Sequence, residues 1–153
     1  MNLKVSFSWI GLVIFALPML INIAYVMFPP AEKAEQTAAV PHWVETVEGI
    51  SRIAYLFAVT LLVSRDRLSF RSGWLYLAVA FLILYDAIWL RYFAGGREIA
   101  LLSRSFLFVP MPLAVFPVLY FLCAAIWLHN LPAAITMAIF GAAHLIVSIQ
   151  SFR

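Results

Sequence analysis

Five stretches of roughly twenty mostly apolar residues, each closed by charge, proline or glycine, divide this chain and constrain its fold more than any other feature. They cover 8–28, 43–63, 74–93, 106–128 and 132–150. A hydrocarbon core about 30 Å thick is crossed by about 20 residues of α-helix. Composition closes off the soluble alternative: 65% of the 153 residues are apolar and 11% charged, against roughly 45–50% and 25% in an ordinary soluble domain. A domain this short still leaves about 30% of its unfolded surface exposed, too much to hide so many apolar side chains from water. The expected fold is all-α, a polytopic integral membrane protein whose five transmembrane helices form one bundle and one domain over 1–153. The ten-residue alternation of an outer-membrane barrel is absent, so strands are not expected. The first run is longer than the roughly 7–15 residues of a signal-peptide core, and is expected to be a helix of the mature protein.

The formal charge of +3 sits in loops that would face headgroups; membrane lipids are the expected partners and no nucleic acid is. Cys123 is the sole cysteine, which excludes an internal disulfide and a thiolate metal site. No nucleophile elbow, HExxH, Walker loop or haem-type histidine pair occurs, and no cofactor is expected. His42, Glu45 and Glu48 have metal-ligand chemistry, but steps of three drift round a helix and no metal site is expected.

The connections define neighbours. His129-Asn130-Leu131 is so short that helices four and five must form an antiparallel hairpin, with Asn130 as cap and Pro132 in the first turn. The first loop is the longest, and Ala31–Gln36 suggests a short surface helix. Lys4, Arg65, Arg67 and Arg71 on one membrane face nearly balance Lys33, Arg91, Arg97, Arg104 and Arg153 on the other. The acidic first loop and the compact Arg65-Asp66-Arg67 turn tip the expectation towards a cytoplasmic N-terminus.

Helical arithmetic then brings polar groups to one level. Asn22, Asp86 and His144 lie six or seven residues from the ends of helices one, three and five, about 9–11 Å below a common membrane face. Glu48 and Arg52, one turn apart on helix two, fall about 8–14 Å below that face. Ionisable groups at such depth are expensive unless paired, so they should face the bundle interior and each other. Arg52 needs an acid, which Glu48 or Asp86 can supply. His144 is then a hydrogen-bonding group or a proton acceptor. Tyr85, Trp89 and Tyr92 add an aromatic strip beside Asp86. Candidate ligand-binding residues are thus Asn22, Glu48, Arg52, Tyr85, Asp86, Trp89 and His144. The alternative is that the polar groups only join helices, at roughly 0.6 kcal/mol each, and that the aromatics form an interfacial belt.

Pro110, Pro112 and Pro117 should bend the first half of helix four and open a pocket or a packing kink. Ala134, Ala138 and Ala142, with Gly141 beside them, form a small-residue stripe suited to close helix contact. Arg91, Arg97 and Arg104 around Gly95-Gly96 have the chemistry for a phosphate or, as the plainer reading, for anchoring to anionic headgroups.

Two resemblances bear on this chain. Tyr85, Trp89-Leu-Arg91-Tyr92-Phe93, Gly96-Arg97-Glu98, Pro110-Met-Pro112, Phe116-Pro117-Val118-Leu119-Tyr120 and Trp127-Leu-His-Asn130 resemble a group of small bacterial five-helix membrane proteins with no activity attached. That resemblance covers less than half the chain and implies a bacterial origin; the expected location is the cytoplasmic (inner) membrane. Asp86-x-x-Trp89-x-x-x-Phe93 is similar to the Asn-x-x-Trp pattern in the third helix of the translocator-protein (tryptophan-rich sensory protein) family. Those are five-helix chains that bind porphyrins and sterol-like ligands. The family's compact Trp-x-Pro-Pro segment is absent and Asp86 replaces the Asn, so the likeness is architectural and assigns no ligand residues.

Three functions stay open from the residues. One is binding, or with a homo-oligomer transport, of a small amphipathic molecule. A second is intramembrane catalysis on a lipid or isoprenoid, with Asp86, Glu48 or His144 as acid and base. The third is a structural subunit of a membrane complex.

Overall fold

A computed structural model describes residues 3–30 and 40–151. The expected surface helix at 31–36 and the charges Glu32, Lys33, Glu35 and Arg153 lie outside the described residues. The chain is mostly helical: β1 (Leu3–Val5), α1 (Trp9–Met27), α2 (His42–Leu61), β2 (Leu62–Ser64), α3 (Gly73–Ala94), α4 (Ala100–Ser103), α5 (Pro112–Trp127) and α6 (Leu131–Ser151). Three helices, α1, α3 and α6, are long and apolar enough to cross a membrane. The α5 helix is apolar but has only 16 residues, and α2 carries Glu45, Glu48 and Arg52.

The most extensive interfaces join α2 to α6, α6 to α5 and α5 to α3, while α1 lies mainly on α2 and touches α3 and α5. Helices α5 and α6 form the expected hairpin. Asn130, 1% exposed, caps α6 by accepting from Ala133 N–H at 3.0 Å, and its Nδ2 donates to the carbonyls of Ala58 and Leu62, both at 2.7 Å. One side chain therefore serves the start of α6 and the junction of α2 with β2, where it adds to the bond that the Ala58 carbonyl already accepts from Leu62 N–H.

Strands do occur. β1 pairs antiparallel with β2, Lys4 opposite Val63. The pairing continues as Ser6 N–H donates to Leu61 O at 3.0 Å and Ser8 N–H to Thr60 O at 2.8 Å. Ser8 then caps α1 by accepting from Gly11 N–H at 2.9 Å. Gly11 is required here: a Cβ would stand 1.9 Å from Val59 O, so α1 crosses α2 backbone against side-chain-free backbone. Three-residue strands leave too short a pattern to be read as alternation, which is why the expectation missed them.

The fourth helix starts six residues later than expected. Residues 106–111 form a tight turn closed by mutual bonds between Phe106 and Val109, with Leu107, Phe108 and Met111 in the left-handed region at φ of 50°, 64° and 52°. Pro110 lies outside the helix and Pro112 at its first residue, where a missing N–H leaves no bond unmade. Pro117 alone interrupts the helix. The small-residue stripe of α6 is also corrected: Ala138 and Ala142 are exposed, and the packed side is one residue round, through Ala133, Met137 and Gly141. A Cβ on Gly141 would meet Val118 Cγ1 of α5 at 2.6 Å.

Inside the bundle, one proline has a visible counterpart. Pro18 has no N–H to offer the carbonyl of Ile14 one turn earlier. The Tyr120 hydroxyl of α5 donates to that carbonyl at 2.8 Å.

Candidate functional site

A cavity of about 330 Å³ opens among α1, α2, α3, α5 and α6 in the half of the bundle that holds the C-terminal end of α1 and the N-terminal end of α5. Its walls are mostly apolar, including Phe15, Met19, Phe121, Met137 and Phe140. Five of the seven residues expected at a ligand site line it: Asn22, Arg52, Tyr85, Trp89 and His144. Depth along the helices therefore did identify side chains that meet in space.

Two polar groupings stand at this level. In the first, Glu48, buried in α2, accepts through Oε1 from Arg52 Nη2 at 2.6 Å and faces His144 Nδ1 of α6 at 2.9 Å. Arg52 also lies over the Phe140 ring, 5.5 Å from its centroid, and Phe140 stacks on His144 at 4.9 Å and 16°. One carboxylate thus sets the position of both groups that face the cavity. Arg52 keeps its side chain 56% exposed, so this charge links the cavity wall to the outside of the bundle. In the second grouping, the Tyr85 hydroxyl donates to Asn22 Oδ1 at 2.8 Å and ties α3 to α1. The next turn of α3 places Trp89 against Tyr25, Tyr92 and Phe93. The indole Nε1 is fully buried and makes no hydrogen bond, although the Tyr85 hydroxyl lies close enough to interact with it.

Asp86 does not belong to this site. It is exposed on the outer side of α3, because Tyr85, Ile88, Trp89 and Tyr92 take the inner side and Asp86 lies about 100° round from Tyr85. It cannot reach Arg52 either, since α2 and α3 share no substantial interface. Depth fixed its level, but rotation of the helix fixed its direction.

Arg91 is likewise corrected as a phosphate ligand. Its guanidinium donates to the backbone carbonyls of Leu101, Arg104 and Ser105 and lies 5.6 Å from the centre of the Phe106 ring. The non-helical segment before α5 leaves those carbonyls unpaired, and Arg91 braces them. Arg97 is half-buried in the left-handed region at φ 64°, with its N–H on Tyr92 O, and Arg104 is exposed. His42 and Glu45, 3.7 Å apart, face outward while Glu48 turns in; among the described residues no three such groups converge as metal ligands. Sequence reasoning missed Phe140, whose ring bridges Arg52 and His144; its position one turn before His144 was the available signal.

Comparison with known protein families, with curated proteins and with solved structures finds no match to this chain.

Proposed function

We propose that this is a membrane-embedded binding protein for a small amphipathic molecule, whose apolar part fills the cavity and whose polar end meets Arg52, His144 and Asn22. The observation that carries the reading is the cavity itself: about 330 Å³, predominantly apolar, with a few convergent polar side chains, the usual constitution of a small-molecule site. The exposed edge of Arg52 gives a polar head its route out to the membrane surface. In this reading α2 and α5 cross the bilayer with the three longer helices. The charges of α2 within the span are paired, and α5, about 24 Å long, is extended to the face by residues 104–111. The location proposed is the cytoplasmic membrane of a bacterium, with the N-terminus inside. Transport through so few helices would need more than one copy.

Catalysis is the second reading, and one observation favours it: a buried carboxylate and an imidazole 2.9 Å apart beside a cavity are placed for proton transfer. A single experiment separates the two. The purified protein is screened by thermal shift against lipids, isoprenoids, sterols and porphyrins, alongside Arg52→Gln, His144→Gln and Asp86→Asn. Binding predicts a ligand that raises Tm of the parent and of Asp86→Asn but of neither cavity variant. Catalysis predicts that His144→Gln still binds while turnover of the ligand is lost. No stabilising ligand with all variants melting normally would overturn both readings.

A further inference from the structure

The outer side of α3 holds a pattern that the cavity does not explain. Tyr76, Val79, Ile83, Asp86 and Leu90 are all exposed, and they recur at steps of three, four, three and four residues. At about 100° per residue they share an arc of about 80°, a seam within an exposed side that widens in the N-terminal half to take in Trp74 and Leu77. Alternating steps of three and four are the repeat by which two helices pack together, and one polar residue within such a seam fixes partner and register. Ala80 and Ala87 lie along its border and permit close approach of a second backbone.

Asp86 sets the requirement. It lies eight residues, about 12 Å, from the end of a helix long enough to span the hydrocarbon, and its side chain is too short to reach the headgroups as Lys or Arg can. It makes no hydrogen bond or ion pair among the described residues. A carboxyl group at that depth is not left against lipid tails; it is met by a polar group.

We infer that this seam is the interface of a parallel, two-fold homodimer in which α3 packs against α3 of a second copy and the two Asp86 carboxyls meet. Symmetry about an axis normal to the membrane keeps the two copies at equal depth, so each Asp86 finds the other with no further matching. Two carboxyls that share one proton are complementary, the protonated one donating to the ionised one. A different partner would have to supply its own polar group at that depth and its own matching seam. The dimer lies outside the cavity and does not depend on the binding reading.

The test is disulfide cross-linking of the full chain in phosphatidylethanolamine–phosphatidylglycerol vesicles with a copper–phenanthroline oxidant. Cysteine is placed in the seam (Ile83→Cys, Leu90→Cys) or on exposed positions of other helices (Ile50→Cys, Ile139→Cys); the parent, whose Cys123 is buried, serves as blank. Dimer is expected at positions 83 and 90 and at blank level at 50 and 139. Adding Asp86→Leu to Ile83→Cys should lower the dimer about three- to tenfold, and Asp86→Asn, which still donates and accepts, should stay within about twofold. Circular dichroism confirms that each variant is folded. Equal cross-linking at all four positions, none in the seam, or full cross-linking with Asp86→Leu would overturn the dimer. So would a chain that stays single in these vesicles and cross-links only to another protein in native membranes.

Discussion

The two ends of the bundle are built on opposite plans. At the end that holds the N-terminus of α1, every device closes the structure: β1 on β2, Ser8 on Gly11, Gly11 against Val59 O, Trp127 Nε1 on Ser69 O at 2.8 Å, and Asn130 across three backbone groups. At the other end Arg91 still braces backbone carbonyls, but around the open volume side chains bond to side chains. At the first end these bonds have a backbone partner. Side-chain pairs at the second can exchange a partner for a ligand without unravelling a helix. The difference separates an end tied through backbone groups from the end that the proposed binding function would use.

Substitutions can break or sharpen that contrast. The largest effect is expected from Asn130→Ala, which takes the side-chain partner from the Leu62 carbonyl and from the α6 cap donor Ala133 N–H in a buried place, while Ala58 O keeps Leu62 N–H; a loss of about 2–4 kcal/mol should follow from about 1–3 kcal/mol per unsatisfied group. Denaturant titration in mixed micelles measures it, and a loss below about 0.5 kcal/mol, the size of a surface substitution, would show that this end is not the rigid one. Gly11→Ala comes next, since backbone must move to admit the methyl group; about 1–3 kcal/mol is expected from overpacking, with no change in ligand affinity. A ligand-binding defect in Gly11→Ala would mean that the two ends are coupled. The smallest effect on stability is expected at the open end: Tyr85→Phe removes the bond to Asn22 and should cost about 0.6 kcal/mol, at most about 1.7. Hydrogen exchange should then quicken in α1 near Asn22 and stay unchanged around Gly11.

Much of the architecture was legible because apolar length and turn residues act locally. The three-residue link at His129–Leu131 dictated the α5–α6 hairpin, and the bounds of α1, α2, α3 and α6 fall within one or two residues of the apolar runs. Depth was legible too, since a fixed rise per residue ranks side chains from a common end; it brought Asn22 to Tyr85 and Glu48 to Arg52 and His144. Azimuth was not. Asp86 and the Ala138–Ala142 stripe each sit one residue away from the packed side of their helix. In a membrane chain the lipid-facing and core-facing sides are equally apolar, so the hydropathy contrast that orients a helix in water is missing. Arg91 was misread for another reason: its partners are backbone carbonyls exposed only because 104–111 leaves the helix, which no side-chain pattern reveals.

The meeting of Pro18 and Tyr120 carries a consequence for descent as well as for folding. The carbonyl of Ile14 is free because residue 18 is proline, and the tyrosine hydroxyl has its task because that carbonyl is free. Neither residue has the same worth without the other. In a line of descent where position 18 regains an N–H, the helix bond re-forms and the hydroxyl at 120 becomes surplus, so phenylalanine is free to replace it. Where proline persists, loss of the tyrosine exposes an unsatisfied group in the core. The two positions, 102 residues apart in the chain, are therefore expected to drift as one.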